Sequence, residues 1–212
     1  MYPSDWLVSM RITSPKREAR YGQLLKAALK VFARDGIDGA SVADIAEAAG
    51  VAKGSVYLYF DSKEALAGDL VRALFTYTDD SEVRLSEDPQ PIERLLRFCD
   101  EQEARVGALG NDSAIVLHMF GHIGKSKSDL LGRGTRQIIA EARFKVRVLL
   151  ENARSRGQLP ADTDCERAAA SILASTYGTI QQQITMKAVN PKGGLKVREA
   201  VSLVLRGLGY QR

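Results

Sequence analysis

Residues 41–66 read SVADIAEAAGVAKGSVYLYFDSKEAL, and the fold of the chain turns on how they are understood. Ser41 stands just before Val42, Ile45, Ala46 and Ala49, an apolar set at the spacing of one helix face, so it reads as the cap of a short helix. Gly50 breaks that helix and can take the positive backbone angle of a tight turn. A second short helix is predicted from about Ala52 to Tyr59, anchored by Val51 and Val56 and crossing closely over the small Ala46 and Ala49. Two short helices joined by a Gly-centred turn are helix-turn-helix geometry. Ser62 caps the next helix, predicted from Lys63 to about Tyr77, with Glu64 near its positive end. Lys53 and Ser55, at the start of the second helix, suit phosphate oxygens and base edges. The hydroxyls of Tyr57 and Tyr59 can donate to phosphates while their rings pack on the scaffold. The plain alternative is that YLYF is a core patch, and periodicity alone does not separate the two.

Outward from this stretch the pattern is helical nearly throughout, with no period-two strand and no repeat. Ser14 and Pro15 open a helix whose apolar face is Leu24, Leu25, Ala28, Leu29 and Phe32, and Gly36 ends it. The acidic, Pro-containing DDSEVRLSEDPQP reads as a boundary. Pro91 starts a helix with Ile92, Leu95, Leu96, Cys99, Val106 and Leu109 on one side, and GNDS interrupts it. A further face is Ile115, Val116, Met119, Phe120 and Ile123, followed by GKSKSDLLGRG as a flexible link. A long helix is expected from about Thr135 to Arg156. Thr163 and Glu166 have the spacing of a capping box for the next one, and Val197, Val201, Val204 and Leu208 mark the last. The expectation is an all-α chain: a tail at 1–14, a helix-turn-helix domain at 15–62, a connecting helix at 63–80, and a helical body at 90–212.

Composition bounds the function. The chain has 212 residues and is 45% hydrophobic, enough to bury a core. No apolar run reaches the length of a membrane span, and MYPSDWLVSM lacks the basic start and apolar region of a secretory signal, so a cytoplasmic location is expected, with Met10 as an alternative start. Cys99 and Cys165 lie far apart without CxxC spacing, as reduced thiols would. A net charge of +4 and a pI near 9.1 permit an acidic partner such as DNA. Residues 1–63 carry nine Lys+Arg against seven Asp+Glu, too small an excess for charge alone to hold DNA, so shape and specific contacts must contribute.

The run VFARDGIDGASVADIAEAAGVAKGSVYLYFDSKEAL closely resembles the TetR/AcrR family of helix-turn-helix transcriptional regulators, with G-V-A-K-G-S-V-Y-x-Y-F-x-S-K-E-x-L as the hallmark. The resemblance covers roughly the N-terminal third. It implies that Ser41, often threonine in the family, meets a phosphate. It places Ala52, Lys53, Gly54, Ser55 and Tyr57 on the recognition helix, approaching bases or adjacent phosphates. It has Tyr59 and Lys63 hold the backbone, with Lys16, Arg17 and Arg20 adding phosphate contacts. Leu58 stands where relatives vary widely and gives no base preference.

A single helix-turn-helix normally reads DNA as a dimer, with recognition helices in successive major grooves about 34 Å apart. Ala170, Ala174 and Gly178 form a small-residue stripe near Ile172, Leu173, Ile180 and Ile184, and with the final helix they could build a four-helix interface or simply an intramolecular core. The family implies a homodimer, a double-stranded operator and a small-molecule effector that releases it, with no cofactor. Candidate effector-pocket residues are Leu95, Phe98, Cys99, Met119, Phe120, His122, Phe144, Tyr177 and Gln181, a mix that suits an apolar or amphipathic molecule.

Other chemistry is weakly signalled. His118 and His122 share one helix side but lack a third ligand at helical spacing. The half phosphate loop GHIGKS has Met119 where its first glycine is needed. Two functions compete with regulation: an enzyme using His118, His122 and Cys99 in a helical cavity, and a non-specific DNA-compacting protein, which the modest charge disfavours.

Overall fold

The structure is a computed structural model that describes residues 14–75, 82–121, 130–186 and 194–210. The expected tail and the alternative start at Met10 lie outside them, as does the GKSKSD part of the expected link. Ten α-helices run among the described residues, without a strand: α1 Pro15–Gly39, α2 Val42–Ala48, α3 Lys53–Tyr57, α4 Lys63–Phe75, α5 Glu82–Glu87, α6 Pro91–Ala108, α7 Ala114–Gly121, α8 Leu130–Ser155, α9 Cys165–Met186 and α10 Val197–Gly207. None is long and apolar enough to cross a membrane.

The described residues fall into two compact units, one within 1–76 and 108–138, the other within 77–107 and 139–212. In the first, α1 is the central element, and α2, α4 and α7 pack on it. Ser14 caps α1 by accepting the Arg17 N–H (3.4 Å), with Pro15 at the first helical position. Leu24, Leu25, Ala28, Leu29 and Phe32 are fully buried, as their spacing requires. Gly36, at φ 72° and ψ 164°, breaks the regular helix where expected. A side chain there would be strained, and its Cβ would lie 3.5 Å from Cε1 of His118 on α7. Residues 114–121, within the span expected for the body, form α7 and pack on α1, with Ile115 and Val116 buried.

In the second unit α9 and α10 pack together. Three local expectations differ from what is found. DDSEVRLSEDPQP is not a bare boundary, because it contains α5. Leu85 is buried, and Asn152 Nδ2 donates to the carbonyls of Leu85 (3.0 Å) and Asp88 (2.8 Å). The last five residues of the expected link, LLGRG, open α8. The Thr163–Glu166 capping box does not form. Asp164 caps α9 by accepting the Arg167 N–H (3.0 Å), while Glu166 turns to Arg143 (2.5 Å) and Arg147 (3.6 Å), a better electrostatic partnership than a backbone N–H.

Candidate nucleic-acid interface

The reading head is built from α2 and α3. Ser41 and Asp44 form a reciprocal cap: Asp44 N–H donates to Ser41 Oγ (3.2 Å), and the Ser41 N–H (3.0 Å) and hydroxyl (2.6 Å) donate to the Asp44 carboxylate. Those bonds hold the Asp44 carboxyl below its ordinary range. At the other end Gly50, at φ 64°, closes α2. Its N–H donates to Glu47 O, and Val51 N–H to Ala46 O, both at 2.9 Å. Gln23 on α1 clamps the same end, donating from Nε2 to the Ala49 carbonyl (2.6 Å).

Helix α3 is short and depends on tertiary anchors. Val56 and Phe60 are buried, and the Phe60 ring stacks on Tyr21 at 5.2 Å between centroids. The Tyr21 hydroxyl donates to Asp69 on α4 (3.1 Å), and burial with the Asp69 charge pushes its pKa up. With Val56 inward, helical geometry turns Lys53, Gly54, Tyr57 and Leu58 outward. All four are exposed, Tyr57 by 48% and Leu58 by 74%. Ala52, the N-cap, is exposed, and Ser55 is half-buried at the margin.

Two of the expected backbone clamps have partners in the chain. Lys63 Nζ donates to the carbonyls of Asp38 (3.1 Å) and Ala40 (2.9 Å), tying α4 to the turn before α2 and leaving one of its three N–H groups for another acceptor. The half-buried Tyr59 lies under the Arg17 guanidinium, 5.6 Å from the ring centroid. Arg20 Nη1 donates to Gln23 Oε1 (2.9 Å), in series with the Gln23 clamp, and Lys16 is exposed. The sequence reading missed the second role of Lys63 and the clamp of Gln23. Neither carries a local signal, since their partners lie 23 to 26 residues away.

The nine effector-pocket candidates do not share one setting. Leu95, Phe98 and Cys99 are buried in the second unit, with Tyr177 half-buried. The Thr176 hydroxyl, donating to the Ile172 carbonyl (2.8 Å), lies 3.5 Å from Cys99 Sγ. Phe144 and Gln181 are at the surface. Phe144 is 38% exposed beneath the Arg147 guanidinium, and Gln181 lines an open groove of about 550 Å³. Phe120 is half-buried in the first unit; the Met119 side chain and His122 lie outside the described residues. Gln102 was missed, although it falls in the apolar stripe of α6. It is wholly buried, its Nε2 reaches the Phe98 carbonyl (3.4 Å), and its Oε1 accepts no hydrogen bond from the described residues.

The described residues hold no group of three or more metal-ligating side chains. Cys99 is a poor nucleophile, because burial pushes its thiol up to about 12.

A family model described as "Bacterial regulatory proteins, tetR family" matches residues 24–70. The chain is 29% identical to the HTH-type transcriptional regulator TtgR of Pseudomonas putida over 184 residues, 84% of this chain and 86% of that one. It is 30% identical to ArpR of Pseudomonas putida, a probable HTH-type transcriptional regulator, over 178 residues, covering 81% of this chain and 83% of that one. The chain belongs to the TetR family. It is a transcriptional regulator carrying a helix-turn-helix DNA-binding domain, not an enzyme. The TetR fold extends well beyond the matched N-terminal segment. The fatty acid degradation regulator FadR from Bacillus halodurans superposes with a TM-score of 0.73 at 24% identity, over 95% of this chain and 100% of that one. SmeT, solved as a complex with triclosan, gives 0.72 at 20% identity over 89% and 91%.

Proposed function

We propose that this TetR-family regulator is a cytoplasmic repressor that binds a palindromic operator as a homodimer and is released by a small, largely apolar effector. The observation that carries the reading is the outward face of α3. Lys53, Gly54 and Tyr57 stand clear of the core while Val56 and Phe60 hold the helix down. Lys53, Ser55 and Tyr57 would approach base edges, and Ser41, Ala52, Tyr59 and Lys63 the phosphates beside them. Lys63 would use its remaining N–H there. Ser41 would have to turn its hydroxyl away from Asp44, or reach the phosphate through a water that donates both to Ser41 Oγ and to the phosphate oxygen.

The homodimer is supported by the outer surface of the second unit. Ala174 and Gly178 are exposed along α9, with Ala170 half-buried, and small residues let a second helix approach closely. Leu203 on α10 is 56% exposed. Residues 63–80 would connect the reading head to the effector-binding and dimerising residues within 90–212. The effector would lie among Leu95, Phe98, Cys99 and Tyr177, and the buried Gln102 Oε1 would accept a hydrogen bond from it. SmeT, which shares the fold, was solved with triclosan, and that favours a small apolar molecule carrying a polar group. Release requires the effector to bind the two states of the protein with different affinity.

Selection of bound sequences from a random DNA pool, followed by binding against salt, tests the reading. An enriched palindrome with half-sites about one helical turn apart is expected. No enrichment, with affinity collapsing as salt rises, would return the protein to non-specific binding.

A further inference from the structure

We propose that Leu58 reads DNA sequence by packing on the C5-methyl group of a thymine in the major groove. The proposal rests on the operator-binding reading above and assigns a base to a residue that the hallmark leaves open.

A lone exposed leucine means little on a protein surface. Leu58 differs in place and surroundings. At 74% it is the most exposed large hydrophobic residue among those described, and it stands on the reading head rather than the helical body. Its backbone, at φ −72° and ψ −12°, continues the helical geometry of α3, so Gly54 lies one turn before it on the same side. Gly54 is not required by its backbone, which stays out of the left-handed region, nor by packing, since nothing lies within 4 Å of a Cβ added there. Glycine is also disfavoured in a helix relative to alanine. No neighbour among the described residues requires the bareness of Gly54, and what it leaves is a shallow notch beside an apolar side chain.

Lys53 and Tyr57 occupy the adjoining track of the same face, also one turn apart and also exposed. The face thus has a polar track suited to phosphates and base edges, and an apolar track made by Gly54 and Leu58. In the major groove the base pairs present hydrogen-bonding atoms and one apolar feature, the thymine methyl group. A leucine over an open glycine matches that feature and no other edge. The first helix position, by contrast, is cationic and suits oxygen.

The experiment uses the full-length protein and the sequence that the wild type enriches from a random pool, resynthesised with deoxyuridine replacing each thymine in turn. Deoxyuridine deletes only the methyl group. For the wild type, at least one thymine per half-site is expected whose replacement weakens binding about fourfold per methyl lost. Leu58→Ala is expected to bind the thymine and deoxyuridine versions equally. Gly54→Ala, which fills the notch and leaves Leu58 in place, is expected to shrink the same preference. Leu58 is exposed, so its replacement does not threaten folding. Equal binding of both versions by the wild type would overturn the proposal, as would a thymine preference that survives in Leu58→Ala. A uniform loss in Leu58→Ala on both versions, without wild-type discrimination, would place Leu58 on the sugar-phosphate backbone and overturn it too. If the pool yields no enriched sequence, the operator-binding reading fails first and the proposal falls with it.

Discussion

The ammonium of Lys63, at the start of α4, donates to the carbonyl of Ala40 at 2.9 Å and so holds the residue just before the cap of α2. With the second bond to Asp38, the first turn of α4 is strapped to the entrance of the reading head. A lysine that the hallmark marks for DNA is thus also part of the scaffold that positions Ser41.

Lys63→Met should therefore lower stability by about 1–3 kcal/mol, because two carbonyls lose a charged donor. Chemical denaturation measures it. The same variant should also lower the slope of log affinity against log salt by about one, for the single phosphate that its remaining N–H would meet. Unchanged stability with a large drop in that slope would mean that Lys63 acts on phosphate alone.

Tyr59→Phe keeps the ring that Arg17 covers and removes only the hydroxyl. It should weaken binding to all sequences roughly uniformly, by several-fold, with no change in thermal stability. Substitutions at Ser55 or Tyr57 should instead alter which sequences the protein selects. Gel-shift titration on a panel of variant operators separates the two, and an unaltered Tyr59→Phe affinity would remove that residue from the interface.

Ser41→Ala removes the hydroxyl from the reciprocal cap with Asp44, so the melting temperature should fall by a few degrees. Ser41→Thr should restore it. The Asp44 carboxyl is depressed by its bonds to Ser41, so this contribution is present above the unfolded carboxyl pKa of 3.8 and is lost as pH falls through the lower folded value. In Ser41→Ala the acid dependence of stability should flatten, which unfolding at pH 3 and pH 6 would detect.

Cys99 predicts a loss at the alkaline end. Its thiol is raised by burial from 9.0 to about 12, so the unfolded chain releases the proton first. Stability is fully present below about pH 9 and declines as pH rises toward the folded value. Urea unfolding at pH 8 and pH 10.5 should show that decline, and Cys99→Ala should reduce its slope whatever its effect on absolute stability. A slope equal to that of the wild type would mean that other groups, such as the raised Tyr21 and Tyr177, dominate.

The sequence by itself determined the helix-turn-helix. Its signals are local: a capping serine, a four-residue apolar stripe, Gly50 and a second apolar anchor at Val56, all within twenty residues and all governed by helical spacing. The break of α1 at Gly36 follows from the same short-range rules, whereas periodicity left open whether YLYF was core, and the structure exposes Tyr57. Only the tertiary structure decided what each helix face meets. Periodicity groups residues on a side but does not say which neighbour covers that side or whether anything does. So Phe144 and Gln181, which look like pocket wall in the sequence, stand at the surface, and α7 lays its apolar side on α1. Thr163 gave up its expected cap because Glu166 found two arginines on α8. Lys63, Gln23 and Asn152 took structural duties from carbonyls far away in the chain, distances that only folding closes.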